Sequence, residues 1–224
     1  MKEIIQYTLY FHAFAGGIAL LSGLLAIVTK KGGKQHILSG EIYFYSMLTV
    51  AVTGLIVATY RGTIFLQTIA FFAFYLAFTG KRVLRNKKEV HVSKLDWVAN
   101  ILSMTVGAYM LYLGILNLFR SGFVGAIPML LVFGGILFWI TVEDAIKMKK
   151  KKWIKNDWLF THIGRMGGSF IATSTAFLLI NISFEPRWVV WLAPTAIGSP
   201  LMAAAIGKWK VRLGDRKKKG AKAN

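Results

Sequence analysis

The sequence predicts an all-α fold: a bundle of seven transmembrane helices, N-terminus outside and C-terminus in the cytoplasm. Three observations carry that expectation. Of 224 residues, 55% are hydrophobic and 16 are Phe, with a mean hydropathy of +0.54, a balance that belongs to integral membrane proteins rather than soluble domains. The apolar residues collect in seven runs, each near the roughly 20 residues that a bilayer core requires. The net charge of +19 is gathered between those runs instead of along one soluble face, which argues against a nucleic-acid partner.

The runs cover 4–29, 36–60, 63–79, 95–119, 124–146, 158–182 and 188–206, the third being the shortest. Lys30, Lys31 and Lys34 follow the first; Lys81, Arg82, Arg85, Lys87, Lys88 and Lys94 follow the third. Lys147, Lys149, Lys150, Lys151, Lys152 and Lys155 follow the fifth, and eight more basic residues follow the seventh. One end of the bundle therefore carries 23 of the 28 basic residues, against Lys2, Arg61, Arg120 and Arg187 at the other. Lys and Arg accumulate on the cytoplasmic side, which sets the orientation; an odd number of spans agrees with it. The first run lacks a basic leader and a small-residue cleavage site, so it is expected to stay as a helix. Residues 1–211 read as one domain, and 212–224 as a Lys-rich disordered cytoplasmic tail drawn to anionic lipid. The chain has no Cys, which removes disulfides, thiolate metal sites, iron–sulfur clusters and cysteine nucleophiles.

Polar residues on these runs fall on helical stripes. The first carries His12, Gly16, Ala19, Gly23 and Ala26 at spacings of four and three, a small-residue seam with a histidine at its outer end. The second places His36, Gly40, Tyr43, Met47 and Gly54 on one side; the fourth aligns Asp96, Asn100, Ser103, Gly107, Met110, Gly114 and Asn117. The sixth opens with His162 and Arg165 and continues that face with Ser169, Ala172 and Ala176. Polar groups aimed at lipid stay unsatisfied, so these faces are expected to converge inside the bundle. An arginine within a membrane helix costs several kcal/mol unless it is paired or reaches the headgroups, which marks Arg165 as a functional candidate. The plainer explanation is that Arg165 snorkels to the inner headgroups while His162 caps its helix. Asn100, Ser103 and Asn117 read as packing residues with interhelical hydrogen bonds worth about 1 kcal/mol each. In the seventh run, Pro194, Gly198 and Pro200 are expected to interrupt the helix, either as a simple kink or as a substrate path.

At 1.5 Å per residue, His12 lies roughly 12 Å inside the outer boundary. His36 and His162 lie near the inner boundary on different helices, at the level of Glu41, Asp96, Glu143, Asp144 and Asp157, with His91 in the loop beyond. A b-type haem in a helical bundle needs two histidines at equal depth, which His36 and His162 supply, with Arg165 one turn on to pair a propionate. Electrons would then pass to a quinone or another redox partner. Alternatively, His36 and His162 with Asp96 or Glu143 form a nitrogen–oxygen set suited to zinc or another divalent metal, whose bound water supports hydrolysis. A third reading makes the histidines and carboxylates a proton-coupled path in a transporter or channel. His12, without a histidine at its own depth, is expected to hydrogen-bond in the core, to ligate with a methionine such as Met110, or to serve a proton path.

Two stretches carry a family resemblance. His12 to Gly17 reads H-A-F-A-G-G and Lys31 to Tyr43 reads K-G-G-K-Q-H-I-L-S-G-E-I-Y, so that His12, Gly16, Lys31, Gly32, His36, Gly40 and Tyr43 follow an H-x-x-x-G, K-G, H-x-x-x-G-x-x-Y pattern. His162 to Phe177, H-I-G-R-M-G-G-S-F-I-A-T-S-T-A-F, adds a later segment. These resemble a family of predicted bacterial multi-pass membrane proteins of unknown function. The resemblance implies a multi-helix fold in a bacterial inner membrane. It also raises His12, His36, His162 and Arg165 as functional positions, and supplies no activity.

Overall fold

A computed structural model of the chain describes residues 1–122, 125, 127–151, 156–185 and 187–221, with backbone alone at 187, 188 and 215–221. The seven helices are α1 (Lys2–Val28), α2 (Lys34–Tyr60), α3 (Ile64–Arg82), α4 (Lys94–Ser121), α5 (Ile127–Lys150), α6 (Asp157–Asn181) and α7 (Arg187–Ala221). A 3₁₀ segment, Val83–Lys87, prolongs α3. All seven are long and apolar enough to cross a membrane. Their outward surfaces carry large apolar side chains such as Phe14, Leu21, Phe119, Trp139 and Ile180. That surface fits a bundle solvated by lipid tails, and a multi-pass membrane protein is the coarse class it supports.

Local chemistry fixes the ends. Ser93 caps α4 in a reciprocal box with Asp96, each accepting from the other's backbone N–H, which satisfies two of the donors a helix start leaves open. At the end of α1, the Lys31 ammonium donates to the carbonyls of Ala26 and Ile27. Gly62, at φ +66°, turns the chain between α2 and α3 in a conformation where a side chain would be strained.

Without a hydrophobic force between helices in lipid, small residues decide which helices approach closely. A Cβ built on Gly107 would lie 2.9 Å from the Phe138 backbone nitrogen, and one on Gly134 would lie 3.0 Å from the Leu111 nitrogen. α4 and α5 are thus locked backbone to backbone as one hairpin. α3 meets α6 at Ala73, whose carbonyl accepts from Ser169, and at Gly80, packed against the Cβ of Arg165. α1 pairs with α2, α6 with α7, and α3 touches α2, α4, α5 and α6. The core gathers where these faces meet, around Tyr43, Met47, Phe72, Leu76, Met110, Leu137 and Ala172. Among the described residues, α5 and α6 make no close backbone approach to one another. Long side chains bridge them in the pairs Arg165–Asp144 and Lys147–Asp157.

One expectation differs from what is observed. α7 is unbroken and holds Pro194 and Pro200 within it. Each proline removes a single N–H, a loss that a membrane helix absorbs through local adjustment, and Gly198 between them lets Ile171 of α6 pack close. The helical backbone continues to Ala221; residues 222–224 of the expected tail lie outside the described ones.

Candidate functional site

The end of the bundle that bears the basic connections holds two polar constellations. The first is the histidine pair. His36, in the first turn of α2, and His162, in the second turn of α6, stand with ring centroids 6.3 Å apart and planes at 80°. His36 Nδ1 donates to the carbonyl of Ala26 at 2.9 Å, and His162 Nδ1 donates to that of Gly80 at 2.7 Å. A carbonyl only accepts, so both rings carry their proton on Nδ1, and in the neutral rings both Nε2 atoms keep free lone pairs. Metal-binding histidines are oriented by the same device, an N–H on the far nitrogen held by a main-chain oxygen. Gly40, one turn from His36, has nothing within 4 Å of its Cβ position, so space lies open beside the pair. Lys31 and Lys87 are near enough to act electrostatically on His162. Lys87 also lies over the Trp158 ring, 5.2 Å from its centroid, and partial desolvation holds the Lys31 ammonium below its ordinary range.

The second constellation lies deeper and joins four helices. Arg165 of α6 donates through Nη2 to Asp144 Oδ1 of α5 at 2.8 Å, the two side chains being 10% and 12% exposed. Tyr75 of α3 donates its hydroxyl proton to Asp144 Oδ2 at 2.8 Å and accepts from Asn100 Nδ2 of α4 at 3.0 Å. Asn100, 1% exposed, also donates to the Thr141 carbonyl at 2.9 Å. Asn100 Oδ1 and Arg165 Nη1 are buried without a protein partner, and such orphans in a polar interior point to bound water or a ligand. A narrow cleft of about 50 Å³ reaches this network; Tyr75 and Asp144 line one part of it, and Arg82, Asp96 and His91 another.

The remaining candidates go elsewhere. Asp96 is bound by Arg82 through both carboxylate oxygens, with Ser93 adding a second donor. Glu143 pairs with Lys147 one turn on, at 2.7 Å. Neither carboxylate joins the histidines, and among the described residues no three of His, Asp and Glu gather as a metal-holding group. Arg165 neither snorkels nor turns to the histidine pair, because its charge is taken by Asp144. His162 reaches across to α3 instead of capping α6. Tyr43 donates to Ser169 Oγ at 2.8 Å, and Ser169 in turn donates to the Ala73 carbonyl at 3.0 Å, so the pair pins α2, α6 and α3 together. His12 donates through Nδ1 to Thr53 Oγ1 at 3.0 Å, since the Thr53 proton is already given to the Thr49 carbonyl. That is a core hydrogen bond between α1 and α2. Asn100 does more than pack, and Tyr75 had no signal of its own in a helix rich in aromatics.

Fold and site together define a seven-helix bundle with membrane-length helices, a charged pair buried between them and a histidine pair at its basic end. No family model, no curated protein and no solved structure matches the chain.

Proposed function

We propose that the protein is a b-type haem redox protein of a bacterial inner membrane, with the haem held between His36 and His162 at the cytoplasmic side. The observation that carries this reading is the histidine pair itself: two imidazoles from different helices, each fixed through Nδ1 to a main-chain carbonyl. His36 and His162, with ring centroids 6.3 Å apart, are the residues that would hold the haem iron through their Nε2 atoms. A porphyrin supplies four nitrogens and asks the protein for only two ligands. Zinc asks for three or four, and with Asp96 and Glu143 committed to Arg82 and Lys147 the hydrolase alternative loses its support. When bound, the group would supply one-electron exchange with a quinone or another redox partner. The chain's own part is to ligate, to fix both rings, and to offer Lys31 and Lys87 as cations for the propionates. The test is an absorbance spectrum of detergent-purified protein from haem-replete cells, air-oxidised and then dithionite-reduced. A Soret band with sharpened α and β bands, lost in both His36→Ala and His162→Ala, is expected. A colourless protein, or an unchanged band in either variant, refutes the reading.

A second reading, a proton-coupled transporter, rests on the other constellation. A buried carboxylate shared between Arg165 and Tyr75, and reached by a cleft from the basic end, is the kind of intramembrane group that loads and releases protons. It predicts proton flux into liposomes under an imposed pH gradient, abolished by Asp144→Asn. Flux equal to that of protein-free liposomes refutes it.

A further inference from the structure

A second, wider pocket of about 680 Å³ opens beside the mouth of the buried cleft. Its walls are Arg82, Arg85, His91, Ser93 and Lys151, with Val90 and Val92 between them. Arg82 is neutralised by Asp96. Arg85 and Lys151 are not: among the described residues, no carboxylate comes within 4 Å of either. Glu89, the only acid between Arg82 and Ser93, neither lines the pocket nor pairs with these cations. The pocket lies just past the end of α3 and at the start of α4, with Lys151 contributed by the residue after α5. Lys87, between Arg85 and the pocket's Val90 in the chain, lies over Trp158, an aromatic of the kind that settles at the headgroup boundary.

A concave site with two uncompensated cations, the His91 imidazole and an apolar wall, at the basic end of the bundle, matches a phosphate ester attached to a hydrophobic body. We infer that this pocket binds the phosphate of an anionic membrane lipid in the leaflet that faces the basic end. Basic pockets between membrane helices on that side take lipid headgroups through the same chemistry. The site is independent of the haem reading, because it shares no residue with the histidine pair.

The experiment is native mass spectrometry of the full-length, delipidated protein, titrated with phosphatidylglycerol and, separately, with zwitterionic phosphatidylcholine. Saturable binding of phosphatidylglycerol is expected, with phosphatidylcholine far weaker. Arg85→Gln with Lys151→Gln should weaken it roughly 30-fold, about fivefold per cation. Lys30→Gln with Lys34→Gln removes two charges from the same end but none from the pocket, and should leave binding near wild type. Arg85→Lys keeps the charge and should bind like the parent, which separates loss of the site from loss of the fold. Equal weakening by the two double variants, or no preference for phosphatidylglycerol, overturns the inference. Displacement of the lipid by millimolar inorganic phosphate overturns the lipid source and assigns the pocket to a soluble phosphate.

Discussion

Asp144→Asn isolates the charge of the buried pair with almost no change of shape. If the asparagine keeps its oxygen toward the Tyr75 hydroxyl, its amide NH2 faces Arg165 Nη2, donor to donor. Arg165 then loses its acceptor as well as its countercharge, while its Nη1 already lacks a partner. Both side chains are nine-tenths shielded, so solvent screening does little to soften the loss. Removing one member of such a pair costs about 3–5 kcal/mol, because the other charge stays buried and unpaired. The assay is reversible unfolding in mixed micelles with rising dodecyl sulfate, followed by far-ultraviolet circular dichroism. Arg165→Gln should cost a similar amount. The double variant, with both charges gone, should recover at least about 2 kcal/mol relative to the sum of the singles. The reasoning fails if Asp144→Asn costs less than about 1 kcal/mol, or if the double variant equals that sum.

Further outcomes follow from neighbouring contacts. Tyr75→Phe should destabilise by about 1–2 kcal/mol in the same assay, less than Asp144→Asn, because Arg165 and Asp144 keep each other; a larger loss would move the centre of the network to the phenol. Gly107→Ala drives a methyl into the Phe138 backbone and should cost about 1–3 kcal/mol. Gly16→Ala, with nothing within 4 Å of its Cβ position, should be neutral or stabilising by up to about 1 kcal/mol, and similar losses at the two sites would contradict the packing described. Thr53→Val removes the acceptor of His12 and should cost about 0.6 kcal/mol, the average of intramembrane hydrogen bonds; pronounced instability would give His12 a heavier role.

Hydropathy located all seven helices, because a run of about 20 apolar residues has few alternatives in lipid. The end of α3 was less legible. Gly80, Lys81 and Arg82 look like a loop, yet Lys81 finds Glu41 on α2 and Arg82 finds Asp96 on α4, and those partners extend the helix. The small-residue stripes were informative for the same reason: Gly107 and Ser169 sit at close approaches. Pairing across helices was not legible, since periodicity reports which face a residue occupies and not which helix it meets. Asp144 had a signal that was available all the same. Leu130, Gly134, Leu137, Thr141 and Met148 of α5 recur at spacings of four and three and are buried, and position 144 completes that stripe while 143 falls off it. An arginine inside the sixth span called for a carboxylate at its own level, and this stripe singles out which one.

The missing backbone contact between α5 and α6 has a mechanical meaning. Because Gly107 and Gly134 interlock α4 with α5, sliding one past the other would drive backbone into backbone, so the two helices form one stiff unit. Toward α6 the hairpin is held by the ion pairs at Asp144 and Lys147, and toward α7 Phe133 stacks edge-on against Trp191. The charge on Asp144 therefore ties together elements that backbone packing leaves apart, and losing it would weaken the hold between the α4–α5 hairpin and α6.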